Sequence, residues 1–598
     1  MQVGLANKAG GLYRRCQTRH ANIVLISRRP GTGRLNTKAI MNDTPQFSSK
    51  APPSAFAPFR HEIFRSVWIA TLVSSFGGMI QGVGAAWMMV ALGASAQMVT
   101  LVQASITLPI VMLALVAGAL ADAFDRRKLM LVAQTFMFAI STILAVCAYL
   151  DLITPWSLLL FTFLIGCGAA LNAPAWQASV GAMVPREDVS SAVAMNSMGF
   201  NLARSVGPAI GGLLVAAASA AAAFTVNALS YVGLIGVLLG WRTEQEKPIL
   251  PRERLGHAIM SGIRYVAMSP NINSTLVRGL VTGIGASSVS ALMPLIARDL
   301  ISGGPTIYGL LLGAFGVGAV AGAFSSHRLR ITYSNEWIVR LALISSAVGI
   351  AIAAVSTTIG LTMAAMMLCG LGWVLIVSIL NATVQMWAPR WVVARALSLY
   401  QMATFSGMAG GAWLWGYVTQ QSGIKAALLI AALVQLGCAL LGRWFHLPET
   451  EDMNLDLLTF NEPATIVPVQ GRTGPVIITI EYRIAERDIV AFLCVMAERK
   501  VIRRRNGARR WSLLRDLADP ELWIERYHSP TWTEYLRHNG RFTEDDALIN
   551  ERVSALHMGS DRPLVRRLLE RQTGFPPAAS LPDATEWTTP MTDQSRLS

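Results

Sequence analysis

Long uncharged apolar runs recur through most of the chain, and no other feature restricts its fold as much. Twelve can be marked, at 66–91, 99–121, 129–150, 156–180, 192–217, 221–241, 272–297, 306–327, 336–357, 360–386, 393–419 and 425–446. Each is long enough to cross a hydrocarbon layer of about 30 Å with some tilt. Inside hydrocarbon an unpaired backbone N–H or C=O is so costly that such a run has to be helical. The expected fold class is therefore all-α membrane, a twelve-helix bundle. Composition agrees, with 53% of residues hydrophobic and 14% charged, where soluble domains carry about 25% charged residues.

The formal net charge is +15. In a soluble chain this would suggest nucleic acid. Here the excess sits in the termini and in alternate loops, so a lipid bilayer is the expected partner and nucleic acid is not. Residues 1–60 read as a basic disordered segment, rich in Arg, Pro and Ser, without a cleavable signal peptide, and Met41 is an alternative start to Met1. The cysteines are Cys16, Cys147, Cys167, Cys369, Cys438 and Cys494. None forms a CxxC pair and four lie in apolar runs, so they read as small core residues, with no disulfide framework, metal site or cofactor motif.

The longest polar connection, 242–271, divides the runs six and six, giving halves at 61–241 and 272–450. Loop charges fix the orientation. The connections after runs two, four, six, eight and ten hold Arg126, Arg127, Lys128, Arg186, Arg242, Lys247, Arg252, Arg254, Arg264, Arg328, Arg330 and Arg390, while the opposite ones hold Arg298 and Lys425. The positive-inside rule then puts both termini and the central connection in the cytoplasm. The halves also repeat in sequence. At a constant offset of 204, Gly118 meets Gly322, Arg126 meets Arg330, Gly166 and Gly168 meet Gly370 and Gly372, Pro185-Arg186 meets Pro389-Arg390, and Gly207 meets Gly411. Two six-helix halves related by a parallel repeat are the design of an alternating-access carrier, with its substrate between them near mid-membrane.

Two motifs carry a family resemblance. Residues 118–128 read GALADAFDRRK, and Gly118, Asp122, Arg126 and Arg127 match the loop that marks the major facilitator superfamily. Ala123 and Asp125 depart from it. The resemblance implies a gate: Asp122 would latch the halves on the cytoplasmic side, with the basic pair facing anionic lipid or an acidic partner. Residues 203–212 read ARSVGPAIGG, and Gly207, Pro208, Gly211 and Gly212 resemble the superfamily's antiporter motif, which accompanies export. Pro208 removes a helix hydrogen bond, and the glycines admit a neighbouring helix closely. Residues 172–214 further resemble the bacterial subgroup of the enterobactin exporter and the transmembrane secretion effectors. That implies export of siderophores or drug-like molecules across the bacterial inner membrane, with protons as the family's usual coupling ion.

Candidate substrate contacts are polar groups inside apolar runs. Arg204 leads, because an intramembrane arginine faces the bundle interior or water, or else snorkels to the surface. Gln81, Gln103, Asn172, Asn201, Asn227, Asn381 and Gln385 follow, each able instead to bond a neighbouring helix. Arg278 lies nearer the boundary and is expected to snorkel. No Asp or Glu falls mid-run, so no proton carrier is evident.

After a linker at 451–475, residues 476–558 change character. Their β-α-β-β-α order suggests a ferredoxin-like sandwich, and the stretch from Trp511 to Arg541 resembles the antibiotic-biosynthesis monooxygenase type of dimeric barrel. It is expected to be a dimerisation or regulatory module in a homodimer, with His528, His538 and His557 at its surface and 559–598 a disordered tail. Export leads among the functions. Import or lipid translocation by the same fold, a fused enzyme and a non-transporting sensor are the alternatives.

Overall fold

The computed structural model describes residues 56–570, apart from residues 182, 186, 242–254, 448–456, 459, 461 and 559–560. Residues 1–55 and 571–598, hence most of the basic N-terminal segment and of the expected tail, lie outside the described residues, as do the side chains of Asp122 and Asn201.

Eleven described helices are long and apolar enough to cross a membrane. The first half holds α1 (Glu62–Ala91), α2 (Ala96–Ala123), α3 (Arg126–Tyr149), α4 (Pro155–Val180), α5 (Val189–Ala217) and α6 (Ala220–Gly240). A shorter helix, α7 (Leu255–Ala267), lies in the connection expected to be a loop. The second half holds α8 (Pro270–Leu295), α9 (Pro305–Thr332), α10 (Asn335–Val355), α11 (Ile359–Trp387) and α12 (Val393–Leu441). Local sequence sets several starts. Ser95 accepts from the Met98 N–H, Asp125 from the Lys128 N–H, and Thr154 forms a capping box with Ser157, each satisfying a donor the helix cannot.

At 49 residues α12 is too long for one span, since at 1.5 Å per residue it would measure about 73 Å. Gly423 breaks it, with φ 81° and ψ 163°, a backbone that glycine adopts without a Cβ clash. The break falls between the two apolar runs read from sequence there. Outward-facing leucines such as Leu160, Leu213, Leu229 and Leu433 are more than half exposed, an apolar surface suited to lipid.

The buried core is arranged by end. Arg126, Arg127 and Lys128 mark what is here the basic end of the bundle. At the opposite, far end one cluster joins both halves, with Met89, Leu144 and Phe224 of the first packed with Leu292, Tyr308 and Trp415 of the second. At the basic end the cores are separate. Phe64, Met130, Trp176 and Leu238 form one in the first half, and Leu343, Leu380, Val392 and Tyr400 form another in the second. Among the described residues the halves therefore share a core at one end only.

The internal repeat is realised as equivalent contacts. A Cβ on Gly168 of α4 would meet Met137 of α3, and one on Gly372 of α11 would meet Ser346 of α10. Gly166 faces Pro109 of α2, and Gly370 faces Phe315 of α9. At Gly166 and Gly168, and again 204 residues on at Gly370 and Gly372, a side chain would press on the matching neighbouring helix.

The C-terminal unit is a four-stranded antiparallel sheet in the order β2-β3-β1-β4. Its elements are β1 (Val476–Arg483), α13 (Ile489–Asn506), β2 (Arg509–Arg515), β3 (Leu522–Ser529), α14 (Trp532–Asn539), α15 (Glu544–Leu556) and β4 (Leu564–Leu569). Strand β4 lies beyond the boundary at 558 and inside the expected tail. Alternate residues of β1, Val476, Ile478, Ile480 and Tyr482, are buried with Phe492 and Met496 of α13. Within this core Glu525 accepts from Tyr482 Oη at 2.8 Å, Arg499 Nε at 2.8 Å, Trp511 Nε1 at 2.9 Å and Arg503 Nε at 3.3 Å. Burial alone pushes its pKa up; the two guanidiniums and the two neutral donors more than reverse this, to about 2.

Candidate functional site

The halves meet chiefly along two helix pairs, α5 with α9 and α2 with α12, and α2 also touches α8. Glycines make the first contact. A Cβ on Gly212 would lie 2.5 Å from Gly309 Cα, and one on Gly316 would lie 2.6 Å from Ser205 Cα. Ser205 Oγ also donates to the Gly316 carbonyl at 3.3 Å. The other motif glycines face inward within the first half. A Cβ on Gly207 would stand 2.7 Å from Met79 Cβ, and one on Gly211 would stand 3.0 Å from Ile80 Cα of α1. Helix α5, carrying Pro208 in its interior, is therefore closely packed on two sides, and its place against α1 sets its place against the second half. The second pair is sealed at the far end, where a Cβ on Gly416 of α12 would come 3.0 Å from Gln97 Cα of α2.

Arg204 stands beside this seam, near the middle of α5. It is half-buried, and its Cζ lies 6.0 Å from the ring centroid of Trp373 on α11. The pair bridges the two halves. Among the described residues Arg204 has neither a hydrogen bond nor a carboxylate partner, so its charge is compensated by an aromatic face alone.

The amides fall into groups. Asn227 Nδ2 donates to Gln81 Oε1, and to Ser141 Oγ and Tyr231 Oη at 3.2 Å each. All four are buried, so Gln81 and Asn227 tie α1, α3 and α6 together inside the first half. Gln385 donates to Asn381 one turn away on α11. Gln103 is half-buried on α2, and Asn172 is half-buried on α4 with its Oδ1 unpartnered.

Among the described residues the basic pair bonds backbone carbonyls of its own half. Arg126 Nη1 donates to the Ala178 carbonyl at 2.8 Å, near the end of α4. Arg127 donates to the Leu238 and Leu239 carbonyls at 2.7 and 2.8 Å, at the end of α6. The last carbonyls of a helix lack intrahelical partners and carry the negative end of its dipole, so a guanidinium serves both needs. In the second half Arg330, the repeat partner of Arg126, donates to the Ser378 carbonyl within α11 at 3.0 Å, a turn earlier than the matching position. The loop is thereby fixed on its own half. At this end of the interface a Cβ on Gly118 would come only to 4.0 Å from Ser398 Oγ of α12.

A family model described as transmembrane secretion effector matches residues 53–573, most of the chain. The chain belongs to this family of major facilitator transporters. It is 29% identical over 311 residues to the enterobactin exporter EntS of Salmonella choleraesuis, covering 50% of this chain and 72% of that one. It is 24% identical over 381 residues to the multidrug efflux pump Tap of Mycolicibacterium fortuitum, covering 62% and 92%. Among solved structures, a POT family transporter matches with a TM-score of 0.54 at 12% identity, over 66% of this chain and 97% of that one. A bacterial homologue of the lysosomal transporter Spinster matches with a TM-score of 0.53 at 11% identity, over 65% and 97%. These likenesses are of fold. The chain is a multi-pass membrane transporter, not an enzyme.

Two expectations for this transporter are corrected. Arg278 does not snorkel. It is 3% exposed and donates to the Glu336 carboxylate and, at 3.4 Å, to the Phe445 carbonyl. Glu336 also accepts from Arg340 Nε at 2.8 Å and the Leu447 N–H at 3.2 Å, tying α8, α10 and the end of α12 together. His538 is not at the surface but 2% exposed. Sequence reasoning missed Trp373, the Arg204 partner; a tryptophan in mid-run looks like lipid-facing bulk until its neighbour across the seam is known.

Proposed function

We propose that this transporter exports a small amphiphilic molecule by alternating access, with the siderophore and drug-like compounds named for its relatives as the chemical model. The observation that carries this reading is the Arg204–Trp373 pair, a guanidinium without a carboxylate partner among the described residues, set against an aromatic face at the boundary between the halves. Such a pair suits a substrate that combines negative charge or polarisable oxygens with a flat apolar body. The family and its export-named relatives favour export over import or lipid translocation.

Counting the broken α12 as two spans gives twelve, six in each half, with the basic end and both termini cytoplasmic by loop charge. A core shared at the far end and split at the basic end is the arrangement of a carrier closed outside and able to part inside. Rocking would then pivot on the α5–α9 glycine seam. Asp122 closes the last turn of α2 and is assigned the cytoplasmic latch, and protons the coupling role. We read the C-terminal unit as a ferredoxin-like sandwich acting as a regulatory or dimerising module, and its antiparallel strand order β2-β3-β1-β4 supports that reading.

Arg204→Ala in proteoliposomes is expected to cut flux of a transported dye or siderophore about tenfold or more, since one charge-assisted contact contributes about 1.5–3 kcal/mol. Unchanged affinity and flux would leave Arg204 a purely structural residue. Asp122→Asn is expected to impair flux with membrane insertion intact, and normal flux rejects the latch.

A further inference from the structure

The soluble unit docks on the membrane part through arginine and aromatic side chains. Tyr265 of α7 and Trp391, in the connection between α11 and α12, meet edge to face at 5.4 Å. Arg505 Cζ, at the end of α13, lies 4.9 Å from the Tyr265 ring centroid, and Arg541 Cζ, just past α14, lies 4.3 Å from that of Trp391. Arg541 Nη1 also donates to the Asn506 carbonyl at 3.1 Å. A Cβ on Gly507 would lie 3.4 Å from Arg264 Nη2 and 3.6 Å from Arg541 Nη1, so guanidiniums from both sides of the seam converge.

Around Arg541 stand five buried polar atoms with no hydrogen-bond partner among the described residues: Trp391 Nε1, both side-chain heteroatoms of Asn506, and both ring nitrogens of His538. Asn506 is 0% and His538 2% exposed. Roughly nine in ten buried polar groups are hydrogen-bonded, because leaving one unmade costs about 1–3 kcal/mol. Five around a single guanidinium is far from that rule. Their chemistry is mixed. Burial, with Arg503, Arg541 and Arg264 nearby, holds the His538 pKa well below the usual value, so the ring is neutral and offers one donor and one acceptor. Asn506 offers both as well, and Trp391 a donor only.

We propose that this seam binds a small oxyanion that keeps a proton, free hydrogen phosphate or a phosphate monoester held as its monoanion, between the transporter and its soluble domain. The converging guanidiniums supply the positive field. Trp391, Asn506 and His538 donate to the anion's oxygens, and its P–OH donates back to the Asn506 Oδ1 or to the unprotonated His538 nitrogen. Sulfate and carboxylates at neutral pH carry no such proton and would leave those acceptors unmatched. A ligand at this place strengthens docking of the soluble domain on α7, the element that joins the halves.

The test uses the full chain in phosphatidylcholine nanodiscs, titrated with inorganic phosphate and, separately, with sulfate. Binding is read by calorimetry and by hydrogen exchange across 255–267 and 500–541. Phosphate is expected to bind and to slow exchange in both segments, with sulfate at least about fivefold weaker, the worth of one hydrogen bond. Trp391→Phe keeps the ring under Arg541 and removes one donor, so phosphate binding should weaken by a similar factor. Asn506→Asp places a carboxylate in the site and should abolish binding. Protection that appears in phosphatidic acid nanodiscs without added phosphate supports the same site with a lipid headgroup as source. Phosphate and phosphatidic acid both without effect, or phosphate bound equally by Trp391→Phe and Asn506→Asp, overturns the proposal in favour of ordered water alone.

Discussion

Gly212→Val is expected to lower transport about tenfold or more while both halves still fold and insert. The position allows no side chain. A Cβ there would sit 2.5 Å from Gly309 Cα and 2.9 Å from the Pro305 carbonyl oxygen, and backbone cannot rotate aside as a side chain can. Valine therefore forces α5 and α9 apart. Overpacking of this kind costs about 1–3 kcal/mol, and the cost falls on the contact between the halves rather than on either half's own core. A change of about 1.4 kcal/mol in the balance between two carrier states shifts their ratio tenfold. Gly309→Val, on the facing helix, should do the same. Gly410→Ala on α12 is the control, because nothing lies within 4 Å of its Cβ direction. Dye or siderophore flux in proteoliposomes, with expression and monodispersity measured in parallel, separates a seam effect from misfolding. Wild-type flux in Gly212→Val would remove the seam from the mechanism.

Much of this architecture was legible because hydrocarbon leaves a chain few choices. Apolar runs had to become helices, and the 204-residue offset had to reflect repeated contacts, as the matched neighbours of Gly168 and Gly372 bear out. The break at Gly423 fell where two runs were read. What sequence could not convey was facing. A glutamine in an apolar run looks the same whether it meets its own half or the cleft, and Gln81 proved to meet Asn227, 146 positions on. The partner of Arg278 lay 58 positions away at the start of α10, where Glu336 reads as a boundary charge. The helix-end carbonyls that hold Arg126 and Arg127 are backbone groups with no sequence signature. Helix α7 was missed because its 13 residues sit in a connection dense with charge and proline. Strand β4, LVRRLL, was missed because its burial is slight and its charges are central.

Glu525→Gln is expected to melt the soluble domain while leaving the membrane part folded. The carboxylate accepts four hydrogen bonds at 0% exposure, two of them from guanidiniums. The amide keeps the shape but leaves Arg499 and Arg503 facing each other with no neutralising charge, and breaking a buried pair in this way costs about 3–5 kcal/mol. The wild-type titration gives an independent scale. Moving a carboxyl from its ordinary 4.5 to about 2 is worth about 3 kcal/mol of folding free energy. The sign follows from the direction of the shift. A depressed pKa stabilises the fold above the ordinary value and loses that stabilisation as pH falls through the depressed one. Wild-type protection of β1 and β3 should therefore decline progressively between about pH 5 and pH 2, and in Glu525→Gln it should already be low at neutral pH, without that acid step. Hydrogen exchange on the full chain reads both, since a single melting temperature is ill-defined for a chain with a membrane part and a soluble part. Equal protection of β1 and β3 in the two proteins at pH 7 would mean that the two arginines find another partner, and that the buried carboxylate is not what holds this core together.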